Sequence, residues 1–99
     1  MNKLEPIHPG EILSEEFLKP LKISQYKLAK SIDVPAIRIS AIVHGKRSVS
    51  VDTALRLGKF LNTSAEFWVN LQSHYDLQME EEIFDKTISK NIKTFEFAV

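Results

Sequence analysis

Residues 24–47 read SQYKLAKSIDVPAIRISAIVHGKR. Ser24 is a good helix N-cap, because its hydroxyl can accept from the backbone N–H groups of the first turn. Leu28, Ala29 and Ile32 recur on one side of the helix it starts. Asp33 falls at the turn that follows, and aspartate tolerates a left-handed backbone better than most residues with a Cβ. Pro35, at a first-turn position, opens the next helix, with Ile39, Ile42 and Val43 on its apolar side. His44-Gly45 ends that helix in a glycine cap. Two short helices joined this tightly must cross closely, which needs a small residue at the contact, and Ala29 supplies it. Leu28, Ile32, Val34, Ile39 and Ile42 then interlock to fix the crossing angle. Ala36, Ile37, Ser40 and Ala41 are left on one outward stripe, with Arg38 at its flank.

Charge follows the same division. From Lys19 to Arg47 there are seven Lys and Arg against one acid, Asp33, whereas from Asn62 to Asp85 there are six carboxylates and no Lys or Arg. The formal net charge of zero therefore hides a dipolar molecule with one end suited to a polyanion. A close helix pair on a basic background is the layout of a helix-turn-helix DNA reader, whose second helix enters the major groove while the first crosses behind it. On that reading Ser24, Gln25, Lys27, Lys46 and Arg47 meet phosphates and position the protein. Residues 36 to 41 read sequence. Ala36 and Ile37 offer apolar contact to thymine methyls, Ser40 pairs with several bases, and Arg38 alone can grip guanine bidentately. DNA shape carries part of the specificity. The same pattern also fits a structural helical hairpin, and Arg38 also fits an ion pair with Asp33. The local cations, the Ser24-Gln25 start, Ala29 and the glycine stop before Lys46 and Arg47 favour the DNA reader.

Outward from this pair, His8-Pro9-Gly10-Glu11 reads as a helix start, Ile12, Leu13, Phe17 and Leu18 recur at helical spacing, and Pro20 is expected to stop the helix. Ser50 caps a fourth helix carrying Ala54, Leu55, Leu57, Phe60 and Leu61. Thr63-Ser64-Ala65-Glu66 reads as a capping box for a fifth, with Phe67, Trp68, Leu71, Tyr75 and Leu77. The expected fold is all-α, a five-helix lambda-repressor-like helix-turn-helix domain over residues 1–79, with the motif itself at 24–44, and a tail over 80–99. In that tail Phe95, Phe97 and Val99 alternate with Glu96 and Ala98, a weak strand signal. Phe67, Leu71 and Tyr75 either seal the core or form an isologous dimer seam. Glu80, Glu81 and Glu82 are either a solvated helix end or a docking patch for a basic partner. Residues 86–99 are a frayed terminus, a clamp on a partner or a sheet-forming edge.

Ninety-nine residues, 43% of them apolar, suit one domain with a modest core. The absence of cysteine excludes disulfides and thiolate zinc sites. Apolar runs are far too short for a membrane span, and the N-terminus lacks the core of a signal peptide, so a cytoplasmic protein is expected. His8, His44 and His74 are scattered without metal-ligand spacing, and no nucleophile relay or glycine-rich phosphate loop occurs. No cofactor, no metal site and no enzyme activity are expected.

Three stretches carry a family resemblance: IHPGEILSEEFLKPLKIS (7–24), VHGKRSVSVDTALRLGKFLNTSAEFW (43–68) and VNLQSHYDL (69–77). They resemble the HigA antitoxins, or plasmid-maintenance antidote proteins, among the XRE-type helix-turn-helix proteins. The resemblance implies a five-helix all-α fold, a homodimer, a palindromic operator in the protein's own promoter, and a HigB-like partner toxin, a RelE-like nuclease that cuts messenger RNA. Ala36 and Ile37 stand where the family often has polar side chains, so the operator sequence does not carry over. Two other readings remain: a stand-alone repressor without a toxin, and a protein-interaction module that touches no nucleic acid.

Overall fold

In the computed structural model, which describes residues 5–98, the first helix begins where His8 caps it: Nδ1 of His8 accepts from the Gly10 N–H at 2.9 Å, and Pro9 sits at the first helical position. Pro9–Ile12, Leu13–Leu18 and Lys19–Leu21 run on as one helix, α1, whose middle stretch is wound in the wider π register. The Lys19 N–H there donates to Ser14 O, five residues back. Pro20 was expected to end this helix, yet it lies inside the last turn. A proline ring collides with the carbonyl four residues earlier in a regular helix, and the widened turn just before it relieves that crowding. The stop comes at Lys22, which is left-handed (φ 57°).

Helices α2 (Gln25–Ser31), α3 (Ala36–Val43), α4 (Val51–Leu61) and α5 (Ala65–Thr87) follow, and a single 3₁₀ turn, Ser89–Asn91, closes the helical part. Ser24, Ser50 and Ser64 cap α2, α4 and α5 through their hydroxyls, accepting from Lys27, Thr53 and Phe67 N–H at 3.0 to 3.2 Å. The expected capping box at Thr63 is displaced by one residue. Ser64 is the cap, and the Thr63 hydroxyl instead accepts from Trp68 Nε1 at 2.9 Å, which satisfies the polar edge of a fully buried indole. Helices α1 to α4 all end alike. Lys22, Asp33, Gly45 and Asn62 take positive φ, and the next residue donates to a carbonyl five back: Ile23 to Leu18, Val34 to Ala29, Lys46 to Ala41 and Thr63 to Gly58, at 2.8 to 3.0 Å. This Schellman arrangement satisfies carbonyls that a helix end leaves bare.

The core gathers Leu13 and Leu18 of α1, Leu28 and Ala29 of α2, Ile39 and Ile42 of α3, Ala54 and Leu57 of α4, and Trp68 of α5. Gln72 is buried but satisfied: Oε1 accepts from Val49 N–H at 2.8 Å, and Nε2 donates to Asp76 Oδ1 at 2.9 Å. Gly10 packs directly on the backbone of Ile42 and Val43, where any Cβ would overlap the Ile42 carbonyl. That contact seats the start of α1 against the end of α3. Helix α5 runs unbroken through residues 79 and 80 to Thr87. No strand forms among the described residues: 92–98 lack regular structure, and Phe95 and Phe97 contact each other at 4.9 Å. Val99, the last residue of the expected alternation, lies outside the described residues.

His8 touches three parts of the molecule. Its ring meets Tyr75 of α5 edge-on at 4.9 Å, and it hydrogen-bonds the Arg47 backbone after α3. Burial pushes its pKa below the ordinary 6.5, against the opposing pull of Asp76 and of the Arg47 backbone bond. Because the folded value is the lower one, the unfolded chain binds the proton first. The contribution of neutral His8 to stability is therefore complete above about pH 6.5 and is lost as pH falls through 6.5 toward the folded value. Thermal melts between pH 7.5 and 5.5 should show a steeper fall in Tm for the wild type than for His8→Asn, which keeps a capping oxygen but does not titrate. Equal slopes would remove His8 from the pH response.

Candidate nucleic-acid interface

The geometry of α3 is set from behind. Leu28, Ala29, Ile32, Val34, Ile39 and Ile42 are all buried, and the small Ala29 lets α2 and α3 approach. Asp33 supplies the left-handed residue between them. The turn is then held from α4, where Arg56 Nη1 donates to the carbonyls of Ile32 (2.8 Å) and Asp33 (3.2 Å) while Nε donates to Asp52 Oδ2 at 2.8 Å. Sequence reasoning missed this clamp. Asp52 and Arg56 four apart signal a helix-surface pair, but nothing local reveals that Arg56 reaches back more than twenty residues.

With its rear fixed, α3 presents Ala36, Ile37, Ser40 and Ala41 outward. Ala36 and Ile37 are exposed, Ile37 by 79%, and Ser40 and Ala41 are half-buried. Ile37, Ser40, Ala41 and Lys46 share one shallow concavity of about 360 Å³ with His44. Ala36 lines a neighbouring depression with Tyr26, Lys30 and Asp33, where Lys30 Nζ lies 5.7 Å from the Tyr26 ring. Ser24 and Gln25 line a third, beside Lys19. Lys27, Lys46 and Arg47 are exposed, so cations stand on both sides of the stripe. Arg38 is half-buried, and its Nε is enclosed without a hydrogen-bond partner. No Arg38–Asp33 ion pair forms among the described residues. With Nε turned inward, a bidentate contact to guanine must come from the two terminal Nη groups.

His44 was read only as the end of a helix, yet it extends the stripe. It lies four residues after Ser40 and seven after Ile37, a spacing that could have found it. Its Nδ1 is 2.7 Å from the Ser40 carbonyl, which can only accept. The neutral ring thus carries its proton on Nδ1 and leaves Nε2 as an acceptor. An acceptor beside Ile37 and Ser40 matches the exocyclic amine of adenine or cytosine in a major groove. The candidate dimer residues lie on another element. Phe67 is 38% exposed but leans on Phe17 and Trp68, Tyr75 is half-buried against His8, and Leu71 is half-buried.

A family model described as Helix-turn-helix matches residues 15–68. A solved structure of the Pseudomonas aeruginosa antitoxin HigA with the higBA promoter superposes with a TM-score of 0.88 at 44% identity, over 92% of this chain and 99% of that one. An addiction module antidote protein of the HigA family from Coxiella burnetii is 47% identical with a TM-score of 0.86, over 93% of this chain and 100% of that one. The chain belongs to the HigA family of helix-turn-helix proteins. Virulence-associated protein I of Dichelobacter nodosus is also similar, 47% identical over 81 residues that cover 82% of this chain and 75% of that protein. Among the described residues no helix is long and apolar enough to cross a membrane, and no cluster of His, Asp and Glu could hold a metal ion.

The Arg56 clamp makes a measurable difference. Arg56→Ala should lower the free energy of unfolding by about 1–2 kcal/mol, since two turn carbonyls lose a charged donor that is itself partly solvated. Urea denaturation checks this, and a loss below about 0.3 kcal/mol would mean that water replaces the guanidinium.

Proposed function

We propose that this chain is the antitoxin of a type II toxin–antitoxin pair in the cytoplasm, a regulator and not an enzyme. As a homodimer it binds a palindromic operator in its own promoter, represses the operon, and restrains a HigB-like toxin that cuts messenger RNA. The observation that carries this reading is the outward α3 stripe flanked by exposed Lys27, Lys46 and Arg47, in a chain that superposes over nearly its whole length on an antitoxin solved with promoter DNA. Ser24, Gln25, Lys27, Lys46 and Arg47 hold the phosphate rails. Ala36, Ile37, Ser40 and Ala41 meet base edges through thymine methyls and one hydroxyl, Arg38 reaches guanine, and His44 accepts from an adenine or cytosine amine. Residues 1–79 act as the DNA-reading unit and 80–99 as its tail, with the boundary inside the continuous helix α5. Phe67, Leu71 and Tyr75 offer one surface for the two-fold contact. The dimer sets its two α3 helices in successive major grooves, roughly 34 Å apart.

Gel shifts with the DNA upstream of the gene test the reader, and co-expression with the product of the neighbouring reading frame tests the antitoxin. If each protomer neutralises about four phosphates, log K falls with log salt at a slope of about −7. A flat salt response would contradict phosphate binding. Arg38→Ala should cost about 1–3 kcal/mol at one base pair, whereas Lys46→Ala weakens binding to all sequences alike. Equal losses on operator and random DNA for both variants would overturn that division of roles.

A further inference from the structure

The Ser40 carbonyl accepts twice from His44, from the backbone N–H at 3.0 Å and from Nδ1 at 2.7 Å, which its two lone pairs permit. The Ser40 hydroxyl lies 3.4 Å from the same ring nitrogen. Were that hydroxyl the donor, the Nδ1 lone pair would face the carbonyl oxygen at 2.7 Å, two acceptors in repulsive contact. The neutral ring therefore keeps its proton on Nδ1. A second proton can only go to Nε2. It leaves the bond from Nδ1 to the carbonyl intact, because neutral imidazole and imidazolium both donate there. Charging His44 thus converts the atom at its tip from acceptor to donor without turning the ring.

That tip stands among the outward residues of α3. His44 is exposed and shares its concavity with Ile37, Ser40, Ala41 and Lys46. All five belong to α3 or to the turn just after it, so one stretch of chain builds the whole concavity. Lys46 is the charged group that lines it, and among the described residues no carboxylate does. On the other side of the turn the titratable neighbour is His8, which caps α1: a Cβ at Gly45 would lie 3.7 Å from its ring. Arg47 follows, exposed.

In a major groove adenine and cytosine present amine donors, whereas guanine presents N7 and O6 and thymine presents O4, all acceptors. We propose that His44 selects one base pair according to its own protonation: neutral, it favours adenine or cytosine, and charged, it favours guanine or thymine. Proton uptake then reverses the preferred orientation of a base pair in each half-site, an effect distinct from stronger attachment to phosphate. Histidine suits this role because it is the side chain that ordinarily changes charge between about pH 5 and 8. The inference rests on the DNA reading proposed above.

Gel shifts with the DNA upstream of the gene test the selection at about pH 8 and about pH 5.5, at fixed ionic strength. Each base pair of one half-site is replaced in turn by C·G and by G·C, since adenine carries an acceptor beside its amine and discriminates less cleanly. At one position the wild type should prefer one orientation about fivefold at the higher pH, and the reverse orientation by a similar factor at the lower. A ratio of two affinities cancels the effects of pH on His8, on His74 and on the folded fraction, which both sequences share. His44→Asn should give a ratio that does not move with pH. His44→Lys, a permanent donor, should hold the low-pH preference at the higher pH. Nitrogen NMR of the free protein at about pH 8 should show the ring proton on Nδ1, and a proton on Nε2 overturns the inference. Tighter binding at low pH that is equal for every sequence would place the ring on phosphate and overturns it too. No shift on any DNA at either pH overturns the DNA reading and this inference together, whereas sequence-specific binding with a pH-independent ratio overturns the inference alone.

Discussion

The close crossing of α2 and α3 is the contact on which the rest of this molecule depends. It requires three things at once: a residue no larger than alanine at position 29, a left-handed residue at 33, and a donor for the carbonyls that the turn exposes. Ala29, Asp33 and Arg56 provide them from two different parts of the chain. If the crossing opened, Ile39 and Ile42 would lose their partners, and the outward stripe would no longer be a ridge. Gly10 braces the same helix from its other end, because only a residue without a side chain lets α1 lie on the Ile42 carbonyl. Stability and reading are thus properties of one packed unit.

The reading chemistry on that unit is sparse. A stripe of two alanines, an isoleucine, a serine and a histidine can make few hydrogen bonds, so in the proposed reader discrimination falls to methyl contacts, one hydroxyl, one acceptor nitrogen, Arg38 and DNA deformability. On the same proposal the exposed cations on either side supply affinity without sequence information. Arg38 stands between these roles, as the one guanidinium on the helix with part of its fork turned inward.

Much of this was legible in the sequence because the signals are local. Serine caps at 24 and 50, the left-handed Asp33, the glycine end at 45 and the apolar spacing of α2 to α4 each depend on neighbours within a turn or two. Pro20 misled because its penalty is local but its relief is not: the π turn that accommodates it begins seven residues earlier, at Leu13. Thr63 misled by one position because Thr63 and Ser64 both qualify as caps, and only the buried indole of Trp68 decides between them. Arg56, His8 and His44 act through partners brought close by the fold or through a tautomer fixed by one carbonyl, and pattern reading sees neither. Helix α5 is the opposite case. Its periodic apolar residues were visible, but which of them would lie beyond the body depended on where the other four helices stop.

The separation of charge between the basic helix pair and the acidic second half of α5 acts before any contact forms. A duplex attracts one end of this molecule and repels the other, so a torque turns it during the last Debye length of approach, about 8 Å at physiological ionic strength. Fewer collisions are wasted on the wrong face, and such steering raises association rates by about 10 to 10³-fold over an unoriented encounter. A chain that is electrically neutral as a whole can thus find its site quickly without adhering to every polyanion that it meets.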